Sequence, residues 1–128
     1  YQSALQINPA EDDIHYNYGN LLTRMGRLDE AVAQYQQALR LAPNKPDIYN
    51  NLGSILLELH RTNEAIVQIR KAIQNSPDRA YFHYNLGNAL AAGHKFDEAV
   101  VEYQQALKLD PGLEAARNRL RALGVPKN

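Results

Sequence analysis

The 128 residues carry 14 lysines and arginines against 14 aspartates and glutamates, and no cysteine. The balance leaves no global field to gather a phosphate backbone or an anionic membrane, and the missing thiols exclude disulfides, thiolate metal sites and thiol nucleophiles. No apolar run approaches the ~18 residues of a membrane-crossing helix, and the length suits one domain.

The chain opens Tyr1-Gln2-Ser3-Ala4, with neither an initiator Met nor a signal peptide, which reads as a piece of a longer protein. One spacing then organises everything. Gly19, Gly53 and Gly87 lie 34 residues apart, and the same step links Ala31, Ala65 and Ala99; Ala4, Ala38, Ala72 and Ala106; Pro9, Pro43, Pro77 and Pro111; and Asn17, Asn51 and Asn85. A period of this length means supersecondary units stacked side by side.

Residues 1–11 read as the second half of an earlier unit. Their helix near 1–7 has no hairpin partner, so the apolar flank around Leu5 and Ile7 is expected to dock on another copy, a homo-oligomer through residues 1–11. The first full unit, 12–45, predicts helices near 12–25 and 29–41. The second, 46–79, predicts 46–59 and 63–75, and the third, 80–113, predicts 80–92 and 97–109. Asp29-Glu30-Ala31, Asn63-Glu64-Ala65 and Asp97-Glu98-Ala99 put a capping side chain and a carboxylate at each second-helix start. The prolines follow helix ends, where the ring breaks no intrahelical bond.

Glycine inside a helix costs ~1 kcal/mol relative to alanine, so three at one register imply a neighbour too close for a Cβ. Leu22, Leu56 and Leu90 with Tyr35, Ile69 and Tyr103 are expected to fill the remaining core, and Met25 to fill core or turn. Residues 114–124 predict a closing helix in which Ala116, Leu120 and Leu123 cover the last hairpin while Arg117, Arg119 and Arg121 stay in water. Gly124 stops it, and residues 125–128 are a tail.

No catalytic constellation emerges. His15 and His83 stand two units apart and His60 and His94 one apart, without the further ligands that zinc requires. His60 and His94 occupy the turn column held by Gly26, where a left-handed backbone is expected. Ser3, Ser54 and Ser76 lie in no nucleophile elbow, and there is no phosphate loop. The chain is expected to be no enzyme and to take no cofactor, metal or nucleic acid.

The columns resemble the tetratricopeptide repeat family. Leu52-Gly53 and Leu86-Gly87, the variant Tyr18-Gly19, and the series Ala31, Tyr35, Ala38, Pro43 with its copies carry the resemblance. His15, Tyr49 and His83 stand where the family often has tryptophan. The resemblance implies an all-α, right-handed superhelical solenoid of antiparallel helix hairpins: three full repeats, a preceding half repeat and a C-terminal capping helix. It also implies that the first helices line a concave side.

At about 100° per residue, Tyr18, Leu22 and His15 fall on the core side of the first helix, and Asp13, Asn17, Asn20 and Arg24 fall nearly opposite. The same face carries Asp47, Asn51, Ser54 and Glu58, then Tyr81, Asn85 and Asn88; Asn50 is taken with it. Side-chain amides donate and accept, so this stripe suits the main chain of an extended peptide, while Tyr16, Tyr81 and Tyr84 add flat contact area. Amides that order the stack are the competing account of the same column. The stripe is similar in style to the repeat region of the transferase that attaches N-acetylglucosamine to Ser and Thr. Relatives that grip the carboxylate of heat-shock chaperones use basic residues where this chain has Tyr16, Tyr81 and Asn85, so that clamp is not expected.

The resulting expectation is a protein-interaction scaffold holding a peptide or protein segment of unknown identity on its concave face. Self-association through the N-terminal helix, or service as the substrate-recruiting arm of a transferase or secretion assembly, are the alternatives.

Overall fold

The computed structural model describes residues 11–125. The described residues form seven helices and no strand: α1 (Glu11–Arg24), α2 (Leu28–Leu41), α3 (Pro46–Glu58), α4 (Thr62–Asn75), α5 (Ala80–Ala92), α6 (Phe96–Leu109) and α7 (Glu114–Ala122). Helices α1 and α2, α3 and α4, and α5 and α6 pack as hairpins. Each hairpin then meets the next through α2–α3 and α4–α5, and α7 closes on α6. The expected all-α solenoid is present. The half repeat expected at 1–11 lies outside the described residues except for Glu11.

Two kinds of turn produce this alternation. The first helices end in a left-handed residue, Gly26 (φ 77°), His60 (φ 64°), His94 (φ 63°) and, after α7, Gly124 (φ 85°). The next amide reaches back five residues: Arg27 to Leu22, Arg61 to Leu56, Lys95 to Leu90 and Val125 to Leu120, at 2.8–2.9 Å. This 6→1 bond closes each helix C-terminus. The second helices end at Ala42, Ser76 and Asp110, extended with φ between −141° and −145°. Each of these precedes a proline, which bars the helical region to the residue before it.

The expected caps are not formed. The second helices begin one residue earlier, and the cap positions are Arg27, Arg61 and Lys95, none with a side-chain cap bond. The tight closure of the preceding helix puts those residues at the boundary and carries Asp29, Asn63 and Asp97 into the first turn. Carboxylates there still meet the positive end of the helix dipole.

The small columns have their predicted reason. A Cβ on Gly19 would lie 2.7 Å from the Tyr35 ring and one on Gly87 2.6 Å from the Tyr103 ring, while Ile69 presses on Gly53. Ala31, Ala38 and their copies at 65, 72, 99 and 106 are fully buried, and Leu22, Leu56 and Leu90 sit beside them.

A set of polar ties anchors the loops. Tyr49 donates to the Pro43 carbonyl (2.9 Å), His83 to that of Pro77 (2.8 Å) and Arg117 to that of Pro111 (2.7 Å). Three different side chains at one register thus fasten the loop that precedes their own helix, at the place where tryptophan is frequent in the resemblance drawn above.

Two expectations fail on α1. Tyr18 is exposed (46 %) rather than core, and so is Met25 (55 %). With Ile14 and Leu21, also exposed, they form one stripe. Their counterparts 34 residues on, Ile48, Leu52 and Ile55, are buried against α2, so the α1 stripe lacks the preceding second helix that α3 and α5 possess.

Candidate binding groove

Residues at the register of Tyr16 reach the next hairpin along one regular ladder. The Asn51 amide donates to the Tyr16 hydroxyl at 3.0 Å, and the Asn85 amide donates to Asn50 Oδ1 at 2.9 Å. Each bond links residues 35 apart, joining α1 to α3 and α3 to α5. Arg119 of α7 continues the series beside Tyr84, whose hydroxyl pushes the guanidinium further above its usual range.

A second set of bonds lies inside the hairpins. The Tyr35 hydroxyl donates to Asn20 Oδ1, and the Tyr103 hydroxyl to Asn88 Oδ1 at 2.6 Å. A buried tyrosine needs a partner for its hydroxyl. Where the second helix carries Ile69 instead, the facing position is Ser54, which has no such duty. The asparagines at 20 and 88 therefore match the tyrosines at 35 and 103. That pairing was present in the sequence 15 residues apart but is invisible to a reading by single columns.

The fourteen residues expected on this face fall into three groups. Asn50 and Asn85 are withdrawn from solvent, 5 % and 8 % exposed, and bond each other. Asp13 and Asp47 lie at the rim in ion pairs that bridge successive first helices: Lys45 with Asp12 (3.3 Å) and Asp13 (3.9 Å), Arg79 with Asp47 (2.8 Å). Exposed pairs of this kind contribute ~0–1 kcal/mol each, so they align the helices more than they hold them. The remainder, Tyr16, Asn17, Asn20, Arg24, Asn51, Ser54, Glu58, Tyr81, Tyr84 and Asn88, keep some or most of their surface in water.

Five of those ten meet at one groove. A cleft of about 350 Å³ between α1 and α3 is lined by Asn20, Thr23, Arg24, Tyr35, Asn51, Ser54, Ile55 and Glu58. Ile55 and the Tyr35 ring give an apolar floor, and Arg24 and Glu58 supply opposite charges. Neither forms an ion pair among the described residues. Burial raises the Tyr35 hydroxyl above its usual 10.0, opposed by its contact with Thr23, so it stays a neutral donor at the floor. Asn51 spends its amine on Tyr16 and, at 3.4 Å, on Asn20. Its carbonyl oxygen has no donor among the described residues.

At the other end, Tyr81, Tyr84 and Tyr103 form a tilted aromatic series with centroids 5.7 and 5.9 Å apart. Among the described residues no three His, Asp or Glu side chains are gathered to hold a metal, and no helix is long and apolar enough to cross a membrane. His15 bonds Gln34 (2.7 Å), and His83 bonds Glu102 and the Pro77 carbonyl, both at 2.8 Å.

Sequence profiles described as TPR repeat match residues 19–60 and 53–93, and profiles described as tetratricopeptide repeat match 80–113 and 1–33. No curated protein sequence matches the chain. Among solved structures, the first TPR of Spaghetti (RPAP3) bound to HSP90 peptide SRMEEVD superposes with a TM-score of 0.88 at 23 % identity, covering 94 % of this chain and 96 % of that one. The first TPR domain of human RPAP3 gives 0.88 at 25 % identity over 91 % and 92 %, and the Arabidopsis OM64 TPR domain gives 0.89 at 22 % over 92 % and 98 %.

Proposed function

Because the chain belongs to the tetratricopeptide repeat family, we propose that it is a protein-interaction module receiving an extended peptide segment along the face of α1, α3 and α5. The observation that carries this reading is the α1–α3 cleft, open and mixed in character, with Arg24, Glu58 and the Asn51 carbonyl oxygen uncommitted. An extended chain presents alternating N–H and C=O groups that such a lining satisfies at little cost in sequence. The peptide-bound neighbour supports the same use of the fold. Its ligand is not carried over, because Tyr16, Tyr81 and Asn85 stand where bases would be needed to grip a carboxylate.

The test is to select peptides from a random display library against the folded protein and titrate them into wild type and Ser54→Phe. Ser54 is half-buried in the cleft, and an aromatic ring there occupies it. Loss of binding with an unchanged melting curve supports the reading. Equal binding by wild type and Ser54→Phe overturns it.

The exposed α1 stripe favours a second reading, self-association. Ile14, Tyr18, Leu21 and Met25 present to water what α3 and α5 bury, and a second copy of this chain is the occupant we propose. Sedimentation at several concentrations checks it: a dimer that Leu21→Glu dissolves is expected, and a monomer throughout ends it.

A further inference from the structure

The ladder between first helices has three rungs with one geometry and three chemistries. Asn51–Tyr16 and Asn85–Asn50 are neutral pairs closed within the protein. The third sets Arg119 beside Tyr84, and a tyrosine hydroxyl is a partner but not a counter-charge. A guanidinium carries five N–H donors in a planar fork, so most of Arg119 stays unused by this contact.

Its neighbours on α7 differ. Arg117 is spent on the Pro111 carbonyl (2.7 Å) and Glu114 (3.5 Å), and Arg121 on Asn118 (2.8 Å). Among the described residues no carboxylate lies within ion-pairing distance of Arg119. The surroundings are apolar and donor-rich: the Tyr81–Tyr84–Tyr103 series, and Asn88, held by the Tyr103 hydroxyl at 2.6 Å. Position, exposure and missing counter-charge converge at the α7 end of the proposed peptide path.

We propose that Arg119, with Tyr84 and Asn88 beside it, is a subsite for one acidic side chain, Asp or Glu, of a peptide lying along the first helices. The proposal rests on the peptide-binding reading and adds the residue class at one end of the ligand. The fork of a guanidinium matches a carboxylate bidentately. A single uncommitted arginine matches one negative charge rather than a phosphate dianion, for which Arg117 and Arg121 are already engaged. The aromatic ring of Tyr81, 56 % exposed, offers a flat seat to the residue next to the acid.

Peptides selected on the folded protein from a random display library are made with amidated C-termini and titrated by fluorescence polarisation. The probes are each selected peptide and its Asp→Asn or Glu→Gln counterpart, against wild type, Arg119→Gln, Arg119→Lys and Arg24→Gln. Selected peptides are expected to carry an acid. Removing it, or making Arg119→Gln, should weaken binding by about tenfold or more. Both changes together should cost little more than either, as a direct pair requires. Arg119→Lys should recover part of the loss, and Arg24→Gln should leave the discrimination intact. Peptides without acids, additive losses, or discrimination that survives Arg119→Gln would overturn the subsite while leaving the groove reading standing. Binding that requires a free C-terminal carboxylate would overturn the side-chain assignment. A library that yields no peptide for the folded protein would remove the groove reading and the subsite together.

Discussion

A methyl group on Gly53 would sit 3.0 Å from Ile69 Cδ1 and 3.2 Å from the Ala65 carbonyl oxygen. Overpacking a close contact costs ~1–3 kcal/mol, and helix propensity returns ~1 kcal/mol for alanine over glycine. Backbone at Ala65 cannot swing aside as a side-chain tip does, so the clash wins. Gly53→Ala is expected to lower stability in urea denaturation, whereas Gly93→Ala, where nothing lies nearer than 3.5 Å, is expected to be neutral or slightly favourable. Tyr103 gives a second prediction. Burial pushes its hydroxyl from 10.0 up to about 12, with Arg119 opposing and Tyr84 adding. The unfolded chain therefore loses this proton first. The contribution is fully present below pH 10 and is lost as pH rises towards 12. Denaturation midpoints between pH 9 and 12 should fall more steeply for wild type than for Tyr103→Phe.

Between elements, the buried Asn50–Asn85 pair is the tie on which α3 and α5 depend. Removing one partner strands a buried polar group at ~1–3 kcal/mol, while replacing both with apolar groups of similar shape is nearly neutral. Asn85→Leu alone should destabilise the chain in chemical denaturation, and Asn50→Leu with Asn85→Leu should recover most of the loss. If each change costs the same regardless of the other, the pair is not the reason these amides are there. Helix positions were readable from the 34-residue columns to within one residue, because period, glycine and proline all mark the same borders. The ladder was not readable that way. Its rungs join residues 35 apart, one register off the columns, so Asn51 and Tyr16 never line up. The capping motif misled for a local reason: Asp29 looks like a cap until the closure at Gly26 claims the preceding residue. The groove face was placed by angular position alone, and angle does not reveal that Asn85 meets Asn50 before it meets solvent.

At the level of the molecule, each hairpin touches only its neighbours, so stability is a sum of hairpin and junction terms. The α3–α4 hairpin has a junction on both sides, whereas α7 has α6 alone. Amide hydrogen exchange should accordingly be slowest in α3 and α4 and fastest in α7, and deleting residues 114–128 should speed exchange in α6 before it reaches α3. Uniform protection along the chain would mean one cooperative block instead of coupled units. The same additivity explains why the fold was legible and the ligand was not: the stack needs only small residues at fixed intervals, while recognition depends on which side chain each unit leaves unspent.

The loop anchors, rim ion pairs and ladder bonds all reach a fixed distance along the chain, from a unit to itself or to the one beside it. Interfaces of that kind are indifferent to how many units separate the ends. A gene with residues 46–79 duplicated in tandem would therefore encode a longer protein with no orphaned contact. Arg79 would meet Asp47 at the new junction, and Asn50 would face a second Asn51. Length is thus a free variable of this architecture, set by copying and not by redesign, and the span of polypeptide it can engage would grow by one hairpin with each duplication.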